Sequence, residues 1–476
     1  MNKLVLNDWF SKLKILTKES AISLLDDSNK LVQRALDKYI CIGVSGFSGS
    51  GKSTFITSLI HHLRYSNESQ LHGFLPARDQ KILDVKLLPL PDCELFDYQK
   101  AIQSLASEPP QWPQPTATLS GCIIQISYKS KASLSNKVFG NTRILNVEIR
   151  DYPGEWLVDL PLIDEDYWSW CQDQNELSQQ PARKQLMGDL LQQLQDINPF
   201  SILTDNEINA LFVHYTDYLK QCKQHGLTLI QPGRFLLPDS AQSSPAFFPL
   251  LGLRQYDKER LAEADENTLY KVMQRHYESY ITNIVTPFRN DFFNKIDRQV
   301  VLIDLLKALS GGESNFEDMM LALSRIMGCY HYGINNYFNK LTSPDIERIV
   351  FLASKPDRVL SSQHENLRSL VNDIIRRVSP QSVRNAIPID TEVVCSVRCT
   401  QDHDQFLTGM SIDGQKGKLK HPLISETIPT QEQWKQYADW QLTELRPPSI
   451  AGLMQGARLP SIRIDTVLKD LIGDKF

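Results

Sequence analysis

Long hydrophobic runs are missing from this 476-residue chain: no stretch approaches the ~20 consecutive apolar residues that a bilayer-spanning helix needs. An excess of either charge is missing too. Lys and Arg number 51 against 56 Asp and Glu, a formal net charge of −5. That gives no reason to expect nucleic acid or an anionic membrane as the main partner, although net charge alone leaves a local basic patch and peripheral membrane contact open. No Cys-x-x-Cys pair occurs among the eight cysteines, and Cys395 and Cys399 lack a matching His or Cys pair, which argues against zinc. Cys41, Cys122 and Cys395 fall inside apolar runs, where cysteine acts as a small hydrophobe, so reduced thiols and a cytoplasmic location are expected. The ten histidines form no metal or nucleophile pattern, and for His61-His62 a place at a helix C-terminus is reason enough. A signal peptide is not expected either, because Asn7, Asp8, Lys12 and Lys14 interrupt the apolar start. Leu6, Trp9, Phe10, Leu13 and Leu16 recur at helical spacing, which predicts an amphipathic helix packed on the protein's own core. Internal repeats and long low-complexity segments are absent.

Hydrophobic residues make up 41% and charged residues 22%, ordinary for a globular protein, and the length predicts two or more packed units. Apolar, β-branched runs at Tyr39–Val44, Cys122–Tyr128, Ile144–Ile149, Val300–Leu305, Ile349–Ala353 and Glu392–Val397 read as strands. Helical patterns such as Thr54–Arg64 and Glu365–Val378 lie between them. This alternation predicts an α/β fold with a mostly parallel sheet. A polar loop with Asn136, Gly140 and Asn141 joins two of the runs, which predicts one antiparallel hairpin at an edge. Lys184–Asp196, Asp205–Gln224 and Glu259–Phe288 show helical spacing without strand patterns, broken by the Pro-rich piece Gln231–Leu251. Residues 158–297 are therefore expected to form a mainly α-helical insertion within a discontinuous domain made of 1–157 and 298–476. Tyr65–Pro115, with seven prolines between Pro76 and Pro115, reads as an irregular functional loop.

The most specific motif is Gly46-Phe47-Ser48-Gly49-Ser50-Gly51-Lys52-Ser53, which fits GxxxxGK[ST] between an apolar strand and a helix. Its glycines allow backbone N–H groups to converge on phosphates, and the helix N-terminus adds partial positive charge. Ser48, Gly49, Ser50, Gly51, Lys52, Ser53 and Thr54 are the expected phosphate-side residues. Lys52 reaches for β- and γ-phosphate oxygens, and the Ser53 hydroxyl is an expected Mg2+ ligand. Asp151-Tyr152-Pro153-Gly154 follows a strand. Asp151 is placed to hold a magnesium-bound water, and Gly154 to offer its N–H to a γ-phosphate. Thr116, ahead of Thr118 as the choice, would complete the metal shell. Ser354-Lys355-Pro356-Asp357 departs from Asn/Thr-Lys-x-Asp in its first residue. Its Asp357 carboxylate can accept from the N–H groups of guanine, with the Lys355 stem along the base. Ser396-Val397-Arg398 closes the next strand, where Ser396 and Val397 can offer a backbone N–H to the base O6. Asp304 reads as the cap of a helix and is not assigned to the site.

Taken in order, these pieces resemble the YcjX family of stress-associated bacterial P-loop GTPases. The resemblance is carried by GFSGSGKSTFITSLI, DYPGEWLVDLPL, PGRFLLPD with the later FFPL, VVLIDLLKAL, LASKPD, CSVRCT and the tail LPSIRIDTVLKDLIGDKF, so it covers nearly the whole chain. It implies a Ras-like nucleotide domain with an added helical region, GTP binding and hydrolysis, and a cytoplasmic stress-response setting. Where better-known GTPases place a water-orienting Gln, this chain has Glu155, whose charge would be repelled by a γ-phosphate unless protonated, paired or turned away. Lys52, Glu155 and, from the insertion, Arg234 are the candidate catalytic residues. A protein partner would meet the switch loops or the helical insertion. Two other readings stay open at this point: an ATP-dependent P-loop enzyme, and a scaffold that binds nucleotide without hydrolysing it.

Overall fold

The computed structural model describes residues 38–47, 49–69, 71–115, 118–130, 142–236, 245–335 and 346–476, with backbone alone for 331–335. The amphipathic N-terminal segment, the loop with Asn136, Gly140 and Asn141, and the site candidates Ser48 and Thr116 lie outside the described residues. The core is an eight-stranded sheet. Its strands are β1 (Lys38–Gly46), β2 (Ile82–Leu88), β3 (Glu94–Leu95), β4 (Ser120–Lys129), β5 (Thr142–Asp151), β6 (Arg298–Ile303), β7 (Arg348–Ser354) and β8 (Ile389–Val394). Their order is β2-β4-β5-β1-β6-β7-β8, with β3 beside β4. From β5 to β8 every pairing is parallel, while β4 runs antiparallel to both β5 and β2. The fold is thus α/β with a mostly parallel sheet and the expected antiparallel β4–β5 hairpin, extended by β2 into an antiparallel edge.

Side chains alternate across each strand, so each feeds two cores. Val300 and Leu302 of β6 and Val350 and Leu352 of β7 point to one face. There they meet helices α1 (Lys52–Arg64), α2 (Tyr98–Ala106) and a C-terminal helix, Ile464–Ile472. Val301, Ile303, Phe351 and Ala353 point to the other face, which carries the helices of residues 160–296. Among these are α3 (Tyr167–Ser178), α4 (Asp205–Gln224) and α5 (Leu269–Tyr280), with α6 (Leu305–Ser310), α7 (Glu313–Asn335) and α8 (His364–Val378) beside them. No strand occurs among the described residues of 158–297. The pattern read as one helix over Lys184–Asp196 is two, broken at Gly188 with φ 53.

Two expectations are corrected and one element is new. Tyr65–Pro115 is not one irregular loop: it contains β2, β3 and α2. β2 was hidden because, as an edge strand, it leaves Leu83, Asp84 and Lys86 exposed and shows no clean alternation. His61 and His62 do fall in the last turn of α1, but they are buried and packed as core. Burial holds both imidazoles below their ordinary range, His62 at about 3, so they are neutral and the dipole argument does not apply. A small antiparallel sheet over Thr400–Asp402, Leu407–Met410 and Lys416–Leu419 was not anticipated. At the other end of the C-terminal region, Asp474 pairs with Arg298 at 2.5 Å, which ties the tail to the start of β6, and Phe476 meets Phe74 and Tyr128 edge to face.

Candidate functional site

β1 ends at Gly46 and α1 begins at Lys52, so the glycine-rich segment is a strand-to-helix loop. Gly49 and Gly51 take φ of 79 and 90, the left-handed region that favours glycine. Ser50 N–H closes the turn on Phe47 O at 3.0 Å. The N–H groups of Lys52, Ser53 and Thr54 lie in the first turn of α1, where helical geometry supplies no carbonyl partner. Loop and helix start together form a nest of donors suited to an anion.

Asp151 ends β5 in register with Val44 of β1 and is fully buried. The chain then turns so that Gly154 lies against the P-loop: a Cβ there would stand 2.0 Å from Gly46 O. No other residue fits, which is the physical reason for the glycine of Asp-Tyr-Pro-Gly. Ser53 and Asp151 are hard oxygen donors, the chemistry Mg2+ prefers. Among the described residues, no group of three or more His, Cys, Asp or Glu gathers to hold an ion unaided. Thr118 bonds to Glu94 at 2.9 Å.

At the far end, β7 delivers Lys355 in a left-handed conformation, φ 59. Its ammonium donates to Gly49 O at 2.5 Å and Asp304 Oδ2 at 2.6 Å, so the Ser-Lys-Pro-Asp motif is bolted to the phosphate loop. Asp357 is 5% exposed and accepts from Cys399 N–H at 2.8 Å, which joins it to the Ser396-Val397-Arg398 loop. That loop is held from two sides: Ser396 O accepts from Ser58 of α1 at 2.7 Å, and Arg398 N–H donates to Pro460 O at 2.6 Å. Phosphate loop, Asp151 turn, Asp357 and the Ser396 loop therefore meet at the same end of the sheet, at the C-terminal tips of β1, β5, β7 and β8.

Residues 40–476 match the YcjX-like family, DUF463. The chain belongs to that family. It is 33% identical over 472 residues to a protein of Escherichia coli named Ras-like GTPase YcjX, covering 95% of this chain and 99% of the relative. A protein of the same name from Shewanella oneidensis is 31% identical over 472 residues, covering 94% and 97%.

In this YcjX-like chain the remaining candidates divide. Glu155 follows Gly154 into a cleft lined by Phe47, Gly154, Lys223, Asp304 and Lys307. There it pairs with Lys223 of α4 at 2.7 Å. Burial opposes its charge, but Lys223, with Lys52 beyond it, outweighs burial and holds the carboxyl below the ordinary range. Arg234 is not in that cleft lining. Its guanidinium stacks over Trp156, 3.6 Å from the ring centroid, and 5.4 Å from that of Phe288. The loop bearing it is anchored by Asp159, which accepts from Gly233 N–H at 2.8 Å, Arg234 N–H at 3.3 Å and Tyr280 OH at 2.6 Å. Burial pushes Asp159 up to about 6, against the pull of these donors.

Sequence reading missed Asp304, Lys223 and Lys307. Asp304 does cap α6, accepting from Lys307 N–H at 3.2 Å, and its other oxygen holds Lys355. Burial disfavours its charge, yet Lys355 and Arg358 bring its carboxyl below the ordinary range. An aspartate closing the strand beside the P-loop strand was the available signal. Nothing in the sequence distinguished Lys223 from other lysines on the helices.

Proposed function

We propose that this chain is a Mg2+-dependent switch that binds and hydrolyses GTP. The observation that carries the reading is the Lys355 bridge to Gly49 O, because it makes the guanine-type motif and the phosphate loop parts of one site. The names of the two relatives point the same way. Lys52 and the amides of Gly49 and Gly51–Thr54 would hold the phosphates, the Ser50 N–H being taken up by Phe47 O, with Ser48 from outside the described residues. Asp357 would select guanine, flanked by the Lys355 stem and the amides of Ser396 and Val397. Ser53 and Thr116 would ligate Mg2+, with Asp151 acting through a water, and such an ion would supply charge neutralisation for the phosphates. Gly154 would donate to the γ-phosphate. Residues 1–157 with 298–476 would form the nucleotide domain, and 158–297 the inserted domain. A protein partner would read the nucleotide state from the switch loops or the insertion, in a cytoplasmic stress response.

Calorimetry with GDP and ADP tests the base preference: tight GDP and weak ADP binding, with loss of GDP binding in Asp357→Ala, is expected. Equal affinity for ADP would overturn it in favour of an ATP-dependent enzyme. Phosphate release from GTP tests turnover, and its absence would leave a nucleotide-binding scaffold. Because Glu155 is tied to Lys223 and Arg234 is stacked on Trp156, the unaided rate is expected to be slow. Single-turnover hydrolysis by Glu155→Ala and Arg234→Ala assigns or removes each from the chemical step.

A further inference from the structure

We infer that Lys223, supplied by the helical insertion, is the residue that admits a γ-phosphate to this site, by neutralising Glu155, so that the insertion sets the preference for a nucleoside triphosphate over a diphosphate. The inference rests on the nucleotide-binding reading above. The Asp151 turn places Glu155 beside the phosphate loop, since Gly154 lies against Gly46 O and Phe47 N. An unpaired carboxylate there would repel the γ-phosphate. Lys223 removes that repulsion by taking the carboxylate at 2.7 Å in a setting where the Glu155 side chain is only 14% exposed. A diphosphate brings no γ-phosphate to be repelled, so its binding would be indifferent to the pair.

Lys223 is held for this role rather than reaching in by chance. It lies in the last turn of α4, which ends in a Schellman motif: Gly226, φ 84, donates to Lys223 O at 3.1 Å, and Leu227 N–H donates to Cys222 O at 3.0 Å. The following segment is clamped by the buried Asp318 of α7, which accepts from Thr228 N–H at 2.5 Å and Leu229 N–H at 2.9 Å. Asn315 of α7 donates to His225 O at 2.8 Å. A rigid support of this kind lowers the entropy cost of fixing a long lysine side chain. It also makes the pair a mechanical link: a partner that shifts the end of α4 against α7 would change the cost of seating a γ-phosphate.

The test is equilibrium binding, with Mg2+, of GDP and of a non-hydrolysable GTP analogue to the full chain and its variants. Lys223→Ala is expected to weaken the analogue roughly tenfold while GDP binding stays within about twofold. Adding Glu155→Gln to Lys223→Ala is expected to restore the analogue, because the charge needing neutralisation is gone. Lys223→Arg keeps wild-type preference. Lys223→Met keeps the aliphatic stem and replaces the alanine variant if thermal denaturation shows that it does not fold. Equal weakening of both nucleotides, no weakening of the analogue, or failure of the double variant to recover overturns the inference. Failure of the wild type to bind GDP would instead sink the nucleotide reading beneath it.

Discussion

Lys355 and Asp304, 51 residues apart, meet at 2.6 Å above the phosphate loop, and the lysine's second bond goes to Gly49 O. The aspartate is almost buried, with its side chain 6% exposed, while the lysine is half-buried, so the contact is partly screened and positions the lysine more firmly than a fully exposed pair would. Asp304→Asn separates its two tasks. Asparagine still caps α6 well, but it cannot neutralise Lys355. We expect the fold to persist and GDP to bind about tenfold more weakly, equivalent to ~1.4 kcal/mol. Calorimetry beside thermal denaturation checks both halves; unchanged GDP affinity would separate Lys355 from the site.

Gly154→Ala forces a Cβ to 2.0 Å from Gly46 O. Backbone must move on both sides of the contact, so a loss of about 1–3 kcal/mol of stability is expected together with a marked loss of nucleotide affinity. Chemical denaturation and GDP titration measure the two effects. Gly188→Ala is the control, since no atom lies within 4 Å of the added Cβ there and its cost comes from φ 53 alone.

Asp159 gives a pH signature. Its carboxyl is raised from 3.8 to about 6 by burial, so the folded protein favours the protonated form. The stabilisation is fully present below the unfolded value and is lost as pH rises through about 6. Relative to Asp159→Asn, the wild type should therefore gain about 1–3 kcal/mol as pH falls from about 6 to 4. Urea denaturation of both proteins across this range reads the difference, and parallel profiles would show that Asp159 titrates normally.

The pair Arg183–Asp318 is buried, with side chains 2% and 0% exposed, and it carries the chain that lines the cleft beside Lys223. Asp318→Ala leaves an uncompensated guanidinium and two orphaned N–H groups, and a loss of about 3–5 kcal/mol is expected. Arg183→Met combined with Asp318→Ala should lose less than the single aspartate variant together with Arg183→Met taken separately. A double-mutant cycle by denaturation checks this, and strict additivity would mean that the ions do not interact.

The parts of the site that were legible in the sequence are those in which backbone and side chain come from one short stretch. Gly46–Ser53 needs only its own glycines and the helix that follows, Asp151–Gly154 only a strand end and a close approach, and Ser354–Asp357 only a strand-ending turn. Their order along the chain, with apolar runs ahead of each, was enough to expect a mostly parallel sheet with each motif following a strand. β2 escaped because an edge strand is half solvated and does not need alternating side chains. Glu155 shows the boundary most clearly. Its position after Gly154 announced a misplaced negative charge, and its neighbours in sequence offered no partner. The partner, Lys223, is 68 residues away on another helix. It reaches Glu155 because α4 ends on α7 at one particular place, and Lys220, one turn earlier on the same helix, pairs with Asp217 in solvent instead. Short motifs follow from local backbone geometry and are written in consecutive residues. A pairing across an insertion depends on how whole helices pack, and a helical pattern shows which face is apolar without showing which of its lysines will meet a carboxylate.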